Sequence, residues 1–250
     1  MQGWALIFWE IFFTISRIYP VLTHFLCKDR TGYPLNLQVI WDRISYAVTI
    51  PSLFIAILWV IKITEWLTGF SLSWLGITPR DTDHLLGILI APLIHGDFGH
   101  LMANTPPLFF LGFLVLFFYP HASRKAVPLM YVLSGSILWV IGRSAIHIGA
   151  STIVYGLASF LFFSGITRRD IRSIGLALIV VFLYGGSLSM GLLPVDTGVS
   201  WEGHLSGGIA GVVAALLYRK EDPPKKYSWE DEEEDSEEGK NRYYRDNYFT

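Results

Sequence analysis

Gly203-His204-Leu205-Ser206-Gly207-Gly208-Ile209-Ala210-Gly211 places one histidine at the head of an apolar run rich in small residues. Gly203, Gly207 and Gly211 recur every four residues, a double GxxxG that lets a second helix backbone approach closely inside a bilayer. His204, Gly207, Gly208 and Gly211 follow the i, i+3, i+4, i+7 rule of a single helical stripe. The surrounding chain fits a membrane. Of its 250 residues 52% are hydrophobic and only 16% charged, against about 25% charged in a soluble domain, and the mean hydropathy is +0.44.

Working outward from this run, apolar segments are judged against the roughly 20 residues that a helix needs to cross a bilayer. They fall at residues 46–67, 100–119, 127–146, 151–166, 171–190 and 203–218. The first is interrupted only by Lys62 and Glu65 near its far end, and residues 143–149 are read as a short turn between the third and fourth. Residues 68–99 are partly apolar but broken by Gly, Pro, Asp and His. Loops on one side carry Arg43, Arg124, Lys125, Arg168, Arg169, Arg172, Arg219 and Lys220, while the other side has only Arg80 and Arg143. The cation-rich side is cytoplasmic by the positive-inside rule. The expectation is an all-α membrane protein, a six-span helix bundle with both termini in the cytoplasm.

The ends of the chain read differently from its middle. Residues 1–27 are apolar and aromatic, but no Lys or Arg precedes Arg17, so the positive start of a signal peptide is missing. Trp4, Phe8, Trp9, Phe12 and Phe13 cluster as at a headgroup boundary, which favours an interfacial segment over an additional span. With a polar linker, that segment makes residues 1–44 one unit, 45–218 the six-span core, and 219–250 a disordered cytoplasmic tail. The tail holds 7 basic and 11 acidic residues, and its run 230–238 is almost wholly acidic. No basic face suits a nucleic acid. The single cysteine, Cys27, rules out an internal disulfide or a thiolate metal cluster.

A polar residue inside a span needs a reason. Asn104 lies 16 residues before Pro120, Ser151 lies 17 before Arg168, and His204 lies 15 before Arg219. At about 1.5 Å per residue all three sit roughly 22–26 Å above the inner face, so three helices present polar groups at one depth. Ser151, Tyr155, Ala158 and Ser159 form a stripe matching that of His204, while His100 and Asn104 share a face at i, i+4. A serine hydroxyl becomes a useful nucleophile when a nearby histidine takes its proton. Ser151 also opens a helix behind Gly149-Ala150, where free backbone N–H groups can hold a developing oxyanion. No carboxylate completes a triad, since Glu202 falls on the wrong face and Asp196 in a loop. The bland alternatives stand beside this reading: serine and glycine pack membrane helices, and a histidine near a span end hydrogen-bonds at the interface. His95, His100, His147 and His204 could also be metal ligands, but there is no HExxH and the spacing of five between His95 and His100 misaligns them on one helix, so no metal is expected.

Three stretches taken together resemble the rhomboid intramembrane serine proteases: His95-Gly-Asp-Phe-Gly-His100-Leu-Met-Ala-Asn104, Gly149-Ala-Ser151-Thr-Ile-Val-Tyr155-Gly, and the run 203–211 quoted above. They occur in the family's order on the second, fourth and sixth spans, and the resemblance covers residues 45–218. It implies a six-helix bundle with Ser151 as nucleophile and His204 as general base. It further implies an oxyanion hole made by His100, Asn104 and the Ser151 N–H, with the catalytic imidazole packed on Tyr155 and His95 in a structural role. The family's partly embedded first external loop would account for residues 68–99, and its substrate-access region would fall at residues 171–200. Two departures are visible: Thr152 stands where a glycine is usual, and the family's Trp-Arg loop pair is not evident, Trp74 and Arg80 being separate.

The expected function is therefore intramembrane serine endopeptidase, acting without a cofactor on the transmembrane segments of other proteins. A bacterial cytoplasmic membrane is the expected location. Two rival readings keep the same residues: a non-catalytic relative that binds or escorts transmembrane helices, and a small transporter using the polar groups as a pathway.

Overall fold

The computed structural model describes residues 37–194 and 198–223. By backbone packing the chain forms two units, Met1–Ser45 and Tyr46–Thr250. In the first, the described residues are the opening turns of a helix, in which the Gln38 amide donates to Asp42 Oδ1 at 3.0 Å. The expected interfacial segment, Cys27, Asp196 and the acidic tail from residue 224 lie outside the described residues.

Among the described residues six long helices follow one another: α1 (Leu37–Thr68), α2 (Phe98–Phe118), α3 (Pro120–Ile141), α4 (Ser151–Arg168), α5 (Ile171–Gly191) and α6 (Trp201–Leu217). Between α1 and α2 the chain makes 3₁₀ turns at Ser73–Leu75, Thr82–His84 and Ala91–Leu93 and a one-turn helix at Gly87–Ile90. Among the described residues, four helices are long and apolar enough to cross a membrane: Ile40–Thr68 within α1, then α2, α3 and α5.

Two boundaries differ from the hydropathy reading. The helix expected to begin at residue 46 already begins at Leu37, so Arg43, expected in a loop, lies within α1. The third span, expected at 127–146, is a helix over Pro120–Ile141, with Arg124 and Lys125 in its first turns rather than in a loop. Hydropathy marks where a helix is apolar, whereas the helix itself runs from a proline that needs no N–H partner to a residue that leaves helical geometry. Here these are Pro120 and Gly142, the latter extended at ψ 151°.

α4 is the most enclosed of the long helices. Ile153, Val154, Leu157, Phe160 and Leu161 are buried among residues such as Leu111 and Val115 of α2, Met130 of α3 and Ala210 and Ala214 of α6. Its closest partner is α6, and small residues make the approach possible. A Cβ on Gly207 would overlap the Thr152 carbonyl, and one on Gly211 the Gly156 carbonyl, whereas Gly208 faces open space. The packed line is thus Gly203–Gly207–Gly211, narrower than the stripe that included Gly208. α1 and α5 instead turn large apolar side chains outward, among them Leu53, Val60, Trp66, Leu178 and Phe182, the last 88% exposed. Apolar surface on this scale needs an apolar surrounding.

The segment between α1 and α2 is tied down at both ends. Lys62 Nζ donates to the carbonyls of His95 and Gly96, both at 2.9 Å, and pairs with Glu65 at 3.3 Å. Glu65 Oε1 accepts the Leu72 N–H at 2.6 Å. Arg80, in left-handed geometry (φ 63°), donates to the Val140 and Gly142 carbonyls at the end of α3, and the Trp139 indole donates to the Asp81 carbonyl. Anchoring therefore uses Arg80 with Trp139, while Trp74 is exposed. An antiparallel bridge joins Ile77 to His147.

Candidate functional site

Ser151 is the first residue of α4, reached through Gly149 at φ 112°, a backbone that favours glycine. A side chain at Gly149 would also overlap the His100 ring. Two hydrogen bonds fix the approach: Gly149 N–H to the Ala91 carbonyl at 2.9 Å and Ala150 N–H to His95 Nε2 at 3.3 Å. The second requires a lone pair on His95 Nε2, so this buried ring is neutral. The Ser151 N–H belongs to the first helical turn, whose donors have no partner inside the helix. Thr152 continues in helical geometry, buried, with its methyl against Gly203.

His204 sits in the first turn of α6, whose N-cap Ser200 accepts the Gly203 N–H. Its ring stacks on Tyr155 with centroids 4.1 Å apart and planes 7° from parallel. Its Nδ1 lies 2.7 Å from the Gly191 carbonyl. A carbonyl can only accept, so Nδ1 carries the proton, and the neutral ring has its lone pair on Nε2. Tyr155 is held in turn, its hydroxyl donating to the Leu188 carbonyl at 2.8 Å. Gly191 must be small, because a Cβ there would overlap the Tyr155 hydroxyl and crowd His204.

On α2, Asp97 caps the helix by accepting the His100 N–H at 2.8 Å, and this bond holds its carboxyl below the usual carboxylate range. Asn104 is buried one turn on and donates one amide hydrogen to the His100 carbonyl at 3.2 Å, leaving the other available. The His95 and His100 rings meet edge to face at 5.1 Å.

A cavity of about 790 Å³ is lined by Ser151, His204, Tyr155, His100 and Asn104, together with residues such as Arg143 and Tyr184. Sequence spacing put Asn104, Ser151 and His204 at one depth; the fold puts them around one space. His95 lies behind that lining, and Gly203, Gly207 and Gly211 lie along the α4–α6 contact. Among the described residues no hydrogen bond joins Ser151 to His204. Glu202 is buried and faces Arg143, 3.7 Å away. Three features escaped the sequence reading. The Gly191 carbonyl left no signal, because a backbone acceptor has no side-chain signature. Lys62 and Glu65 were visible only as interruptions of an apolar run. His147 was weighed only as a metal ligand, yet it hydrogen-bonds Ser200.

Outward-apolar helices around a cavity lined by a serine at one helix start and a histidine near another are features of a multipass membrane protein. The Rhomboid domain family model matches residues 82–221. An uncharacterized protein of Mycobacterium tuberculosis is 42% identical over 173 residues, covering 66% of this chain and 72% of that protein. An uncharacterized protein of Mycobacterium leprae is 40% identical over 174 residues, covering 66% and 68%. A putative rhomboid protein of Acanthamoeba polyphaga mimivirus is 25% identical over 139 residues, covering 54% and 75%. The chain belongs to the rhomboid family.

Proposed function

We propose that this protein is an intramembrane serine endopeptidase in which Ser151 is the nucleophile and His204 the general base. The observation that carries the reading is the Nδ1–H bond from His204 to the Gly191 carbonyl, which leaves Nε2 as the basic nitrogen in the cavity-lining ring. In the reaction, Nε2 takes the Ser151 hydroxyl proton as Oγ bonds to the substrate carbonyl carbon. The oxyanion receives hydrogen bonds from the Ser151 N–H, the free Asn104 amide hydrogen and His100. His204 then gives its proton to the leaving amine as the C–N bond breaks. Water, activated by the same nitrogen, releases the acyl group and restores Ser151.

The core, residues 45–218, crosses the membrane six times in this reading. α4 and α6, 18 and 17 residues long, rise about 26–27 Å, close to the roughly 30 Å of hydrocarbon. They are flanked by four longer helices. Both termini lie in the cytoplasm, as the cation distribution argues, with 1–44 an interfacial segment and linker and 219–250 a cytoplasmic tail. The site then opens toward the non-cytoplasmic side, where water reaches it. Substrates are membrane proteins whose transmembrane segments unwind near that face, the lipid bilayer is the working environment, and a bacterial cytoplasmic membrane is the location. The chemistry uses only protein groups.

Purified protein in lipid vesicles, offered a single-span substrate, tests this. Wild type is expected to cut, with Ser151→Ala and His204→Ala inactive yet folded. Cleavage surviving Ser151→Ala would overturn the reading. Absence of cleavage together with no labelling of Ser151 by a fluorophosphonate would leave the helix-binding escort as the better account.

A further inference from the structure

His147 is neither the proposed nucleophile nor the proposed base, yet it is buried, 4% exposed, and lines the same cavity as both. Its Nε2 lies 3.1 Å from the Arg143 carbonyl and its Nδ1 2.7 Å from Ser200 Oγ. Because the Arg143 carbonyl only accepts, Nε2 carries the proton and Nδ1 is the acceptor. The Ser200 hydroxyl therefore donates to Nδ1, while its oxygen accepts the Gly203 N–H at 3.1 Å. The Ser200 carbonyl accepts the His204 N–H at 3.1 Å. A single line of hydrogen bonds thus runs from the Arg143 carbonyl through His147 and Ser200 to the helical turn that carries His204.

The other end of this line is equally fixed. His147 N–H and C=O both pair with Ile77, at 2.9 Å each. Arg143 adds a second tie to the start of α6, donating from Nη2 to the Val199 carbonyl at 3.0 Å. Three residues after His147 the same short connection delivers Ala150 and then Ser151. The α4–α6 contact below is built from Gly203, Gly207 and Gly211, whose missing side chains set how closely the helices approach. One cross-helix hydrogen bond, from Ser159 Oγ to the Gly208 carbonyl at 2.8 Å, lies midway along this contact. The tie through His147 and Ser200 adds a second directional link at the end where Ser151 and His204 stand.

We propose that His147 and Ser200 are positioning residues that fix the axial register of the α6 turn bearing His204 against the α4 start bearing Ser151. The inference rests on reading Ser151 and His204 as nucleophile and base, and it adds a residue pair that touches no reacting atom. In His147→Asn the Oδ1 atom stands where Nδ1 stood and still accepts from Ser200. His147→Gln and His147→Phe lose that acceptor, and Ser200→Ala loses the donor.

The test uses the full chain in lipid vesicles and follows Ser151 labelling by a fluorophosphonate across probe concentrations, separating the maximal inactivation rate from the apparent binding constant. His147→Asn should label at close to the wild-type rate. His147→Gln, His147→Phe and Ser200→Ala should lose roughly 10- to 100-fold in maximal rate, the scale of an ångström-level misplacement, with the binding constant unchanged. The double variant His147→Phe/Ser200→Ala should be no slower than either single one. Wild-type rates in His147→Phe, an Asn variant as slow as Phe, or losses that multiply in the double variant would each overturn the proposal. Should His147→Phe not fold, the Asn–Gln comparison carries the same decision. A wild type whose Ser151 never labels sinks the protease reading and this inference with it, whereas uniform labelling across the series sinks this inference alone.

Discussion

At the scale of single residues, His204 is held by two contacts of different kinds. The Gly191 carbonyl fixes which nitrogen bears the proton, and the Tyr155 ring fixes the plane of the imidazole. Tyr155→Phe keeps the stack and loses only the hydroxyl bond to the Leu188 carbonyl, so stability should fall by about 1 kcal/mol, measured by thermal unfolding in micelles. Tyr155→Ala removes the stack itself. An aromatic pair contributes about 0.5–1.5 kcal/mol beyond burial, so under the proposed protease mechanism the cleavage rate should drop roughly 2- to 10-fold more than in the Phe variant. Equal rates in the two variants would show that the ring does not orient the His204 imidazole.

Between elements, the α4–α6 contact makes a sharper contrast possible, because two adjacent glycines on one helix have different surroundings. A Cβ on Gly207 meets the Thr152 carbonyl, but a Cβ on Gly208 meets nothing. Gly207→Ala must push the helices apart and should cost about 1–3 kcal/mol, as overpacking does. Gly208→Ala should be neutral or stabilising by up to about 1 kcal/mol, since alanine is the better helix former. Thermal unfolding of the two variants side by side decides it, and equal destabilisation would mean that the close approach is not what the glycines provide. The anchoring of the segment before α2 belongs to this scale too. Lys62 and Glu65 look like defects in an apolar helix, yet between them they hold Leu72 and the His95-Gly96 turn that leads into the Asp97 cap.

Across the whole molecule, three helix ends converge at the opposite end from the cavity. Asp222, at φ 52°, accepts the N–H groups of His121 and Ala122 at the start of α3 and pairs with the His121 ring at 2.6 Å. Arg168, at the end of α4, donates to the carbonyls of Tyr218, Glu221 and Asp222 just beyond α6. Lys125 pairs with Glu221. Burial alone would raise the Asp222 carboxyl, but the Ala122 and His121 hydrogen bonds outweigh it and hold it below the usual carboxylate range. A depressed folded-state value means that the stabilisation is complete above the unfolded value near 3.9 and is lost as pH falls through the folded one. The melting temperature in micelles should therefore decline below about pH 4. Asp222→Asn should lower it at pH 7 and flatten that part of the acid decline. A variant with the wild-type acid profile would remove Asp222 from the account.

The sequence by itself determined the all-helical character of the described residues, the position of most long apolar helices and the similar spacing of Asn104, Ser151 and His204 from the ends of their apolar runs. Those features follow from hydropathy and from the 1.5 Å rise per residue, both local properties of the chain. The GxxxG line was legible for the same reason, whereas the stripe of His204, Gly207, Gly208 and Gly211 is not one packed face, because Gly208 has open space beside it. Tertiary structure alone decided that His204 Nδ1 meets the Gly191 carbonyl, that His147 reaches Ser200 and that Arg80 with Trp139 anchors the loop before α2. It also moved the third helix back to Pro120, because a helix extends as far as its hydrogen bonds close, not only as far as its apolar residues run. His147 and Ser200 are 53 residues apart, and no periodicity within a helix can pair groups at that separation. Only the packing of one helix end against another chooses such partners.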